Sequence, residues 1–234
     1  MNKRRKKNMS LALLKNIPLF SGLSEKELKD ILRLTSSKRY YENNMIVAEA
    51  DEVSDLFYII NKGKVKVSRV SEDGKEVILT ILGTGNFFGE MSILDGLSRS
   101  ANVVSITDTE VLTLSGKDFL NLLNKFSKIP HNLIKVLCSR IRGSDSQIKR
   151  LSLMNTIGRV ASTLLSLAEF GEVKKKPTAE IEKLPSLQDM ANMAGTSESS
   201  VSRAINNLVK SGYIKKEENK IIINNYSEFK KMYC

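Results

Sequence analysis

The chain has 234 residues, 41% hydrophobic and 27% charged, with 37 Lys and Arg against 26 Asp and Glu for a net charge of +11. That balance excludes a wholly disordered chain and leaves room for one medium domain and one small one. The apolar runs are strand-sized, far short of a membrane span, and two cysteines, Cys138 and Cys234, exclude a disulfide framework or a four-cysteine metal cluster.

In chain order, the run Lys3-Arg4-Arg5-Lys6-Lys7 supplies nearly half of the excess charge. It reads as a solvated tail or as a segment that grazes a polyanion. Met9 to Leu14 mimics a signal peptide, but Lys15 interrupts it and no small-residue cleavage site follows. Export is therefore not expected, and the cytoplasm is the expected home. Ser24 to Leu34 reads as a helix, with Ser24 as N-cap, Glu27 completing a capping box, and Leu28, Ile31 and Leu32 on one face. Short strand-like runs follow: 55–60, 64–68, 76–82, 102–105 and 109–114, with Asn61-Lys62-Gly63 and Glu72-Asp73-Gly74-Lys75 as turns. Their even spacing predicts an antiparallel barrel or roll over about residues 38–115. A cupin-type metal barrel has no support, because the sequence contains one histidine, His131, outside the strands.

Between two of these runs lies Phe87-Phe88-Gly89-Glu90-Met91-Ser92, followed by Arg99-Ser100-Ala101. Gly89 lets backbone approach a ligand closely, and the amides of Met91 and Ser92 open a turn or short helix that suits an anion. Arg99 brings a planar cationic fork for phosphate oxygens, Ser100 a hydroxyl, and Glu90 an acceptor for a sugar hydroxyl. The same residues also allow a simpler reading, a Glu90–Arg99 ion pair on a surface turn. The segment resembles the phosphate-binding cassette of cyclic-nucleotide-binding domains, F-G-E-hydrophobic-small and then R-[ST]-A. The resemblance implies that Glu90 takes the ribose 2′-hydroxyl and that Arg99 and Ser100 take the cyclic phosphate.

From about Ser115 the period becomes helical. A short helix is expected over 117–126, and Pro130 opens a long one running toward Met154. Its apolar positions Ile134, Leu137, Ile141, Ile148 and Leu151, with Ser144 in the missing slot, form a heptad seam. Such a seam packs on its own barrel or pairs two copies in parallel, and the second reading is preferred. In CRP/FNR-type regulators, which this stretch resembles, the same helix carries dimerisation and hydroxyls along it reach the nucleotide base. Matching the helices through Ile157-Gly158-Arg159-Val160-Ala161 implies base contacts for Ser144 and Asp145, and a cassette-bracing role for Arg140. Asp145 stands where a hydroxyl is expected; a carboxylate suits the N1–H and N2–H₂ edge of guanine, so cyclic GMP stays open beside cyclic AMP.

Asn155 is expected to cap a helix with the stripe Ile157, Val160, Ala161, Leu164, Leu165, Leu167 and Ala168. Glu172 to Pro177 reads as a charged loop. Residues 186–212 then have helix-turn-helix spacing: Ser186 as cap, Leu187, Met190, Ala191 and Ala194 inward, and Gly195 at the turn. Thr196 or Ser197 caps a second helix with Val201, Ala204, Ile205 and Leu208 inward, ended by Gly212. Ser199, Arg203 and Asn206 project from its other side, as a major-groove reading helix requires. Arg203 suits a guanine, and Thr196 and Ser197 suit phosphates. Residues 213–216 and 220–224 form the expected wing. The alternative is an ordinary αα-hairpin with a solvated face. Gly195 to Arg203 resembles the recognition helix of CRP/FNR regulators, with Ser199 in place of their usual Glu and Glu198 one position earlier.

Taken together, the chain is identified as a CRP/FNR-type transcription regulator of α+β class. The expected parts are a basic tail (1–15), an antiparallel, jelly-roll-like β-roll that binds a cyclic nucleotide (16–129), a long dimerisation helix (130–154) and a winged helix-turn-helix domain (155–234). The resemblance implies a homodimer on double-stranded palindromic DNA, cyclic AMP or cyclic GMP as allosteric ligand, RNA polymerase as partner, no metal, no catalysis and no membrane. The alternatives are a relative with another effector or none, a redox or haem-gas sensor, and a nucleotide-binding interaction module that does not use DNA.

Overall fold

The computed structural model describes residues 11–50, 55–169, 177–182, 184–218 and 220–233. The basic run at 3–7, the charged stretch 172–176 and Cys234 lie outside the described residues. By contacts the chain divides into two units, Met1–Ser71 with Leu79–Arg142, and Glu72–Ile78 with Gly143–Cys234.

The first unit begins with a helix over residues 11–16 (α1), a 3₁₀ turn at Pro18–Phe20 and helix α2 (Glu25–Leu34). Ser24 and Glu27 form the expected reciprocal capping box. Eight strands follow: β1 (Ser36–Tyr40), β2 (Met45–Val47), β3 (Leu56–Lys62), β4 (Lys64–Val70), β5 (Glu76–Gly83), β6 (Phe87–Phe88), β7 (Asn102–Ser105) and β8 (Thr109–Ser115). They make two four-stranded sheets, β1-β8-β3-β6 and β2-β7-β4-β5, the antiparallel roll that the spacing predicts. β3 is apolar on both faces, and the alternation of a strand explains why. Phe57 and Ile59 pack outward with α2, while Tyr58 and Ile60 face the other cluster with Val65, Val103 and Val111. β6 repeats the split with one ring for each side: Phe87 packs near Phe57, and Phe88 stacks on Tyr58 at 4.7 Å between centroids.

Helix α3 (Glu90–Asp95) follows β6, and α4 (Gly116–Lys125) follows β8. Helix α5 (Lys128–Leu153) runs 26 residues, with Pro130 in its first turn, where a missing N–H costs little. The heptad seam divides. Leu137 packs against the helical core of this unit, whereas Ile134, Ile141 and Ile148 are 60–63% exposed.

The second unit contains α6 (Thr156–Glu169), β9 (Ala179–Ile181), α7 (Leu187–Ala194), α8 (Glu198–Lys210), β10 (Ile214–Glu217), β11 (Lys220–Ile223) and α9 (Tyr226–Tyr233). Asn155 caps α6 through a 2.9 Å bond from the Gly158 amide. Helices α6, α7 and α8 close on Val160, Leu164, Ala191, Val201 and Ile205, beside a sheet ordered β10-β11-β9. Leu187, expected inward, is 39% exposed because it opens the first turn of α7, outside the stripe of Met190, Ala191 and Ala194. No helix among the described residues is long and apolar enough to cross a membrane.

Two non-glycine residues among those described, Asn43 and Ala50, take left-handed φ values; asparagine tolerates that region, whereas alanine does not. Ala50 has φ +62°, a left-handed value that costs an L-residue about 1 kcal/mol, and its amide donates to the Arg99 carbonyl at 2.9 Å. Ala50→Gly keeps that bond and relieves the strain. Urea unfolding should show a gain of about 0.5–1 kcal/mol; an unchanged or lower midpoint would mean that the turn is not strained.

Candidate functional site

The sensor-like site is built where β6 ends. Gly89 caps α3 with φ +82°, and a Cβ there would stand 2.7 Å from the Leu56 carbonyl oxygen and 2.9 Å from an Arg99 nitrogen. A close approach that demands glycine is thus made to the protein's own β3 and to Arg99. Gly96, with φ +72°, ends α3 and turns the chain toward Arg99.

Arg99 is only 4% exposed. It donates at 2.8 Å to the Gly89 carbonyl and at 2.8 Å to the Leu56 carbonyl, tying the cassette to β3. Glu90 is 2% exposed, and its Oε1 accepts from Arg140 of α5 at 2.6 Å. The burial of both residues excludes a Glu90–Arg99 pair on a surface turn. Arg140 also donates to the Phe87 carbonyl at 2.5 Å and lies over the Phe87 ring at 4.6 Å. The other carboxylate oxygen, Oε2, is buried and accepts no hydrogen bond from the described residues; the buried Oγ of Ser92 likewise has no such partner. Ser100 is exposed, its Oγ 3.7 Å from the Met91 sulfur, and Met91 is half exposed. Ser144 and Asp145 are exposed on α5, about one helical turn beyond Arg140. Two guanidinium groups against one carboxylate leave the neighbourhood cationic, and the buried acceptor suits a hydroxyl donor. The residues present therefore fit a ligand that carries a hydroxyl beside an anion.

The second constellation is the α7–α8 pair. Gly195 takes φ +59° at the joint, and Ser197 caps α8 by accepting from the Ser200 amide. Val201, Ala204, Ile205 and Leu208 are buried, while Glu198, Ser199, Arg203 and Asn206 are exposed, so the expected reading face is outward. Arg203 folds along its own helix, with Nε 3.3 Å from the Ser199 carbonyl and an Nη 3.4 Å from Ser200 Oγ. Thr196 is half-buried, its amide held by the Ala191 carbonyl at 3.1 Å. Lys215 and Lys216 lie exposed on the β10–β11 wing.

Known proteins agree with both halves. Residues 38–126 match the cyclic nucleotide-binding domain family, and residues 158–232 match the Crp-like helix-turn-helix domain family. The Cyclic AMP receptor protein of Thermus thermophilus is 34% identical over 202 residues, covering 86% of this chain and 90% of that protein. The chain belongs to the CRP/FNR family of transcription regulators. The cAMP-activated global transcriptional regulator CRP of Haemophilus influenzae is 33% identical over 168 residues, 71% of this chain and 74% of that one. FixK2 from Bradyrhizobium japonicum shares the fold, with a TM-score of 0.74 at 19% identity over 86% of this chain and 98% of that one.

Within this CRP/FNR regulator, sequence reasoning missed two supports of the cassette. Phe87 is the shelf under Arg140, and the β3 carbonyl of Leu56 anchors Arg99. The first had a signal in the β6 alternation; the second is a backbone atom far away in sequence and had none.

Burial pushes the Glu90 carboxyl above its ordinary value of 4.5, against the pull of Arg140 and Arg99. A carboxyl raised in the folded state takes up a proton on folding. Its contribution is therefore full below the unfolded value and fades as pH rises through the folded one. Arg140→Met leaves the carboxylate buried without its partner. The variant should lose about 1–3 kcal/mol near neutral pH, discounted for the partial exposure of Arg140, and less at about pH 5. Circular dichroism during urea unfolding at both pH values reads this, and a loss independent of pH would contradict the pairing.

Proposed function

We propose that this CRP/FNR regulator is a homodimer whose DNA affinity is set by a cyclic nucleotide. The observation that carries the ligand half is Glu90 Oε2, a buried acceptor that a ribose 2′-hydroxyl satisfies. Ser100 and the amides of Met91 and Ser92 hold the cyclic phosphate beside Gly89, and Arg99 joins them by turning from the Gly89 and Leu56 carbonyls. Ser144 and Asp145 meet the base, and Arg140 ties the cassette to α5. The named activity of the Thermus and Haemophilus relatives favours cyclic AMP; the carboxylate of Asp145 favours cyclic GMP as the second reading.

Exposure of Ile134, Ile141 and Ile148 on one face of α5 supports pairing with a second copy, since an apolar heptad face is costly in water. In that dimer the working parts are the N-terminal segment (1–15), of which residues 11–15 belong to α1 and Leu14 is buried in the sensor core, the sensor (16–129), the dimer helix (130–154) and the DNA reader (155–234). Two α8 helices then address half-sites ~34 Å apart on a palindrome. Thr196 and Ser197 take phosphates, while Glu198, Ser199, Arg203 and Asn206 face base edges. Arg203 must swing off its own helix to reach a guanine. The bound ligand favours the DNA-competent state, and by linkage DNA tightens the ligand by the same factor. The setting is the cytoplasm, with RNA polymerase as the partner that reads the outcome.

Calorimetry of the full chain with cyclic AMP and with cyclic GMP tests the ligand half: saturable binding of one is expected, and no heat from either contradicts it. Asp145→Ser should shift the preference about tenfold toward cyclic AMP if the carboxylate reads the base. Arg203→Ala should erase sequence preference in mobility shifts yet keep salt-sensitive background binding. Equal loss on all DNA would rule out base reading.

A further inference from the structure

Arg159 stands outside the sensor and the reading face, yet it joins two helix ends of the second unit. From the first turn of α6, its Nε donates to the Ala194 carbonyl at 3.0 Å and its Nη1 to the Met154 carbonyl at 3.1 Å. Ala194 is the last residue of α7, and Met154 directly follows the last residue of α5. Both carbonyls belong to helix C-termini, where intrahelical donors run out and the partial charge is negative. One guanidinium thus bridges the end of the long helix and the turn that launches α8. An apolar contact lies alongside: a Cβ on Gly195 would stand 2.8 Å from Leu151 Cδ2. The α5–α6 joint is short, Met154-Asn155, with Asn155 already capping α6.

We propose that Arg159 is a positioning residue that makes the end of α5 and the α7–α8 turn move as one body, so that α8 follows α5. Its importance for DNA reading rests on the function proposed above. The bridge needs two donors fixed on a planar fork. Lysine keeps the charge but offers a single nitrogen on a flexible stem. A role that is only electrostatic is therefore rescued by Arg159→Lys, and a bridging role is not.

Hydrogen exchange on the full chain without added ligand reads the joint directly. The reporters are the amides of Met154, bonded to Arg150, and of Gly195 and Thr196, both bonded to Ala191. In Arg159→Lys these should exchange about tenfold faster together, while β3 and β8 keep their wild-type rates. Leu151→Ala, which removes the apolar half of the joint, should accelerate the same amides. Wild-type rates in Arg159→Lys overturn the proposal. So does acceleration spread evenly through α6 and the inner face of α8, which marks general loosening. A second arm uses a duplex that the wild-type protein selects from a random-sequence pool. Arg159→Lys should bind cyclic AMP with unchanged heat yet lose about tenfold of the ligand-driven gain in DNA affinity, and an undiminished gain overturns the coupling. If the wild type binds neither cyclic AMP nor DNA, the proposed function fails, and the exchange arm still decides the joint.

Discussion

The structure depends on a carboxylate that cannot be buried alone. Glu90 lies at the end of β6 with almost no exposure, in a place where an unpaired charge is prohibitive. Arg140 meets one of its oxygens, and reaching it requires α5 to lie against β6, with Phe87 beneath the guanidinium. Arg99 stiffens the other side by bonding to the carbonyls of Gly89 and Leu56, and Gly89 must lack a side chain for those groups to meet. The cassette is held by its own chain before any ligand arrives. The second carboxylate oxygen is buried and unbonded among the described residues, and it is the atom to which we assign the ligand contact.

A single helix carries both ends of the proposed mechanism. One part of α5 places Arg140 on the cassette, and its last residues meet the α7–α8 turn through Leu151 and Arg159. Ile141 and Ile148 lie exposed between them, and Ile134 before them, on the face that we propose pairs with a second copy. A ligand can shift such a system only by the difference in its affinity for two states. In the proposed mechanism that difference arises at the Glu90–Arg140 contact, since a hydroxyl donating to Glu90 shares the carboxylate with Arg140 of α5.

Much of this was legible in sequence because the informative residues are local. Glu90, Arg99 and Ser100 share a short glycine-bounded segment, and the caps Ser24, Asn155 and Ser186 sit directly before apolar periodicity. What escaped depends on distant backbone. The carbonyl of Leu56 as partner of Arg99 has no residue type to betray it, and neither does the Ala194 carbonyl held by Arg159. The strands β1, β2, β6 and β9 escape the sequence reading: β1 buries no residue, and the other three span only two or three residues, too few for alternation to mark a strand. Helix α9 buries a single residue, Phe229, among tyrosines, too little for a periodic signal.

In the proposed mechanism the open oxygen of Glu90 receives the sugar hydroxyl of a cyclic nucleotide. Comparing cyclic AMP with its 2′-deoxy analogue on the same protein tests it most directly, because the two ligands differ only in that hydroxyl. The deoxy analogue should bind at least about tenfold more weakly, as the loss of a hydrogen bond to a charged group requires. Equal binding of the two would contradict it.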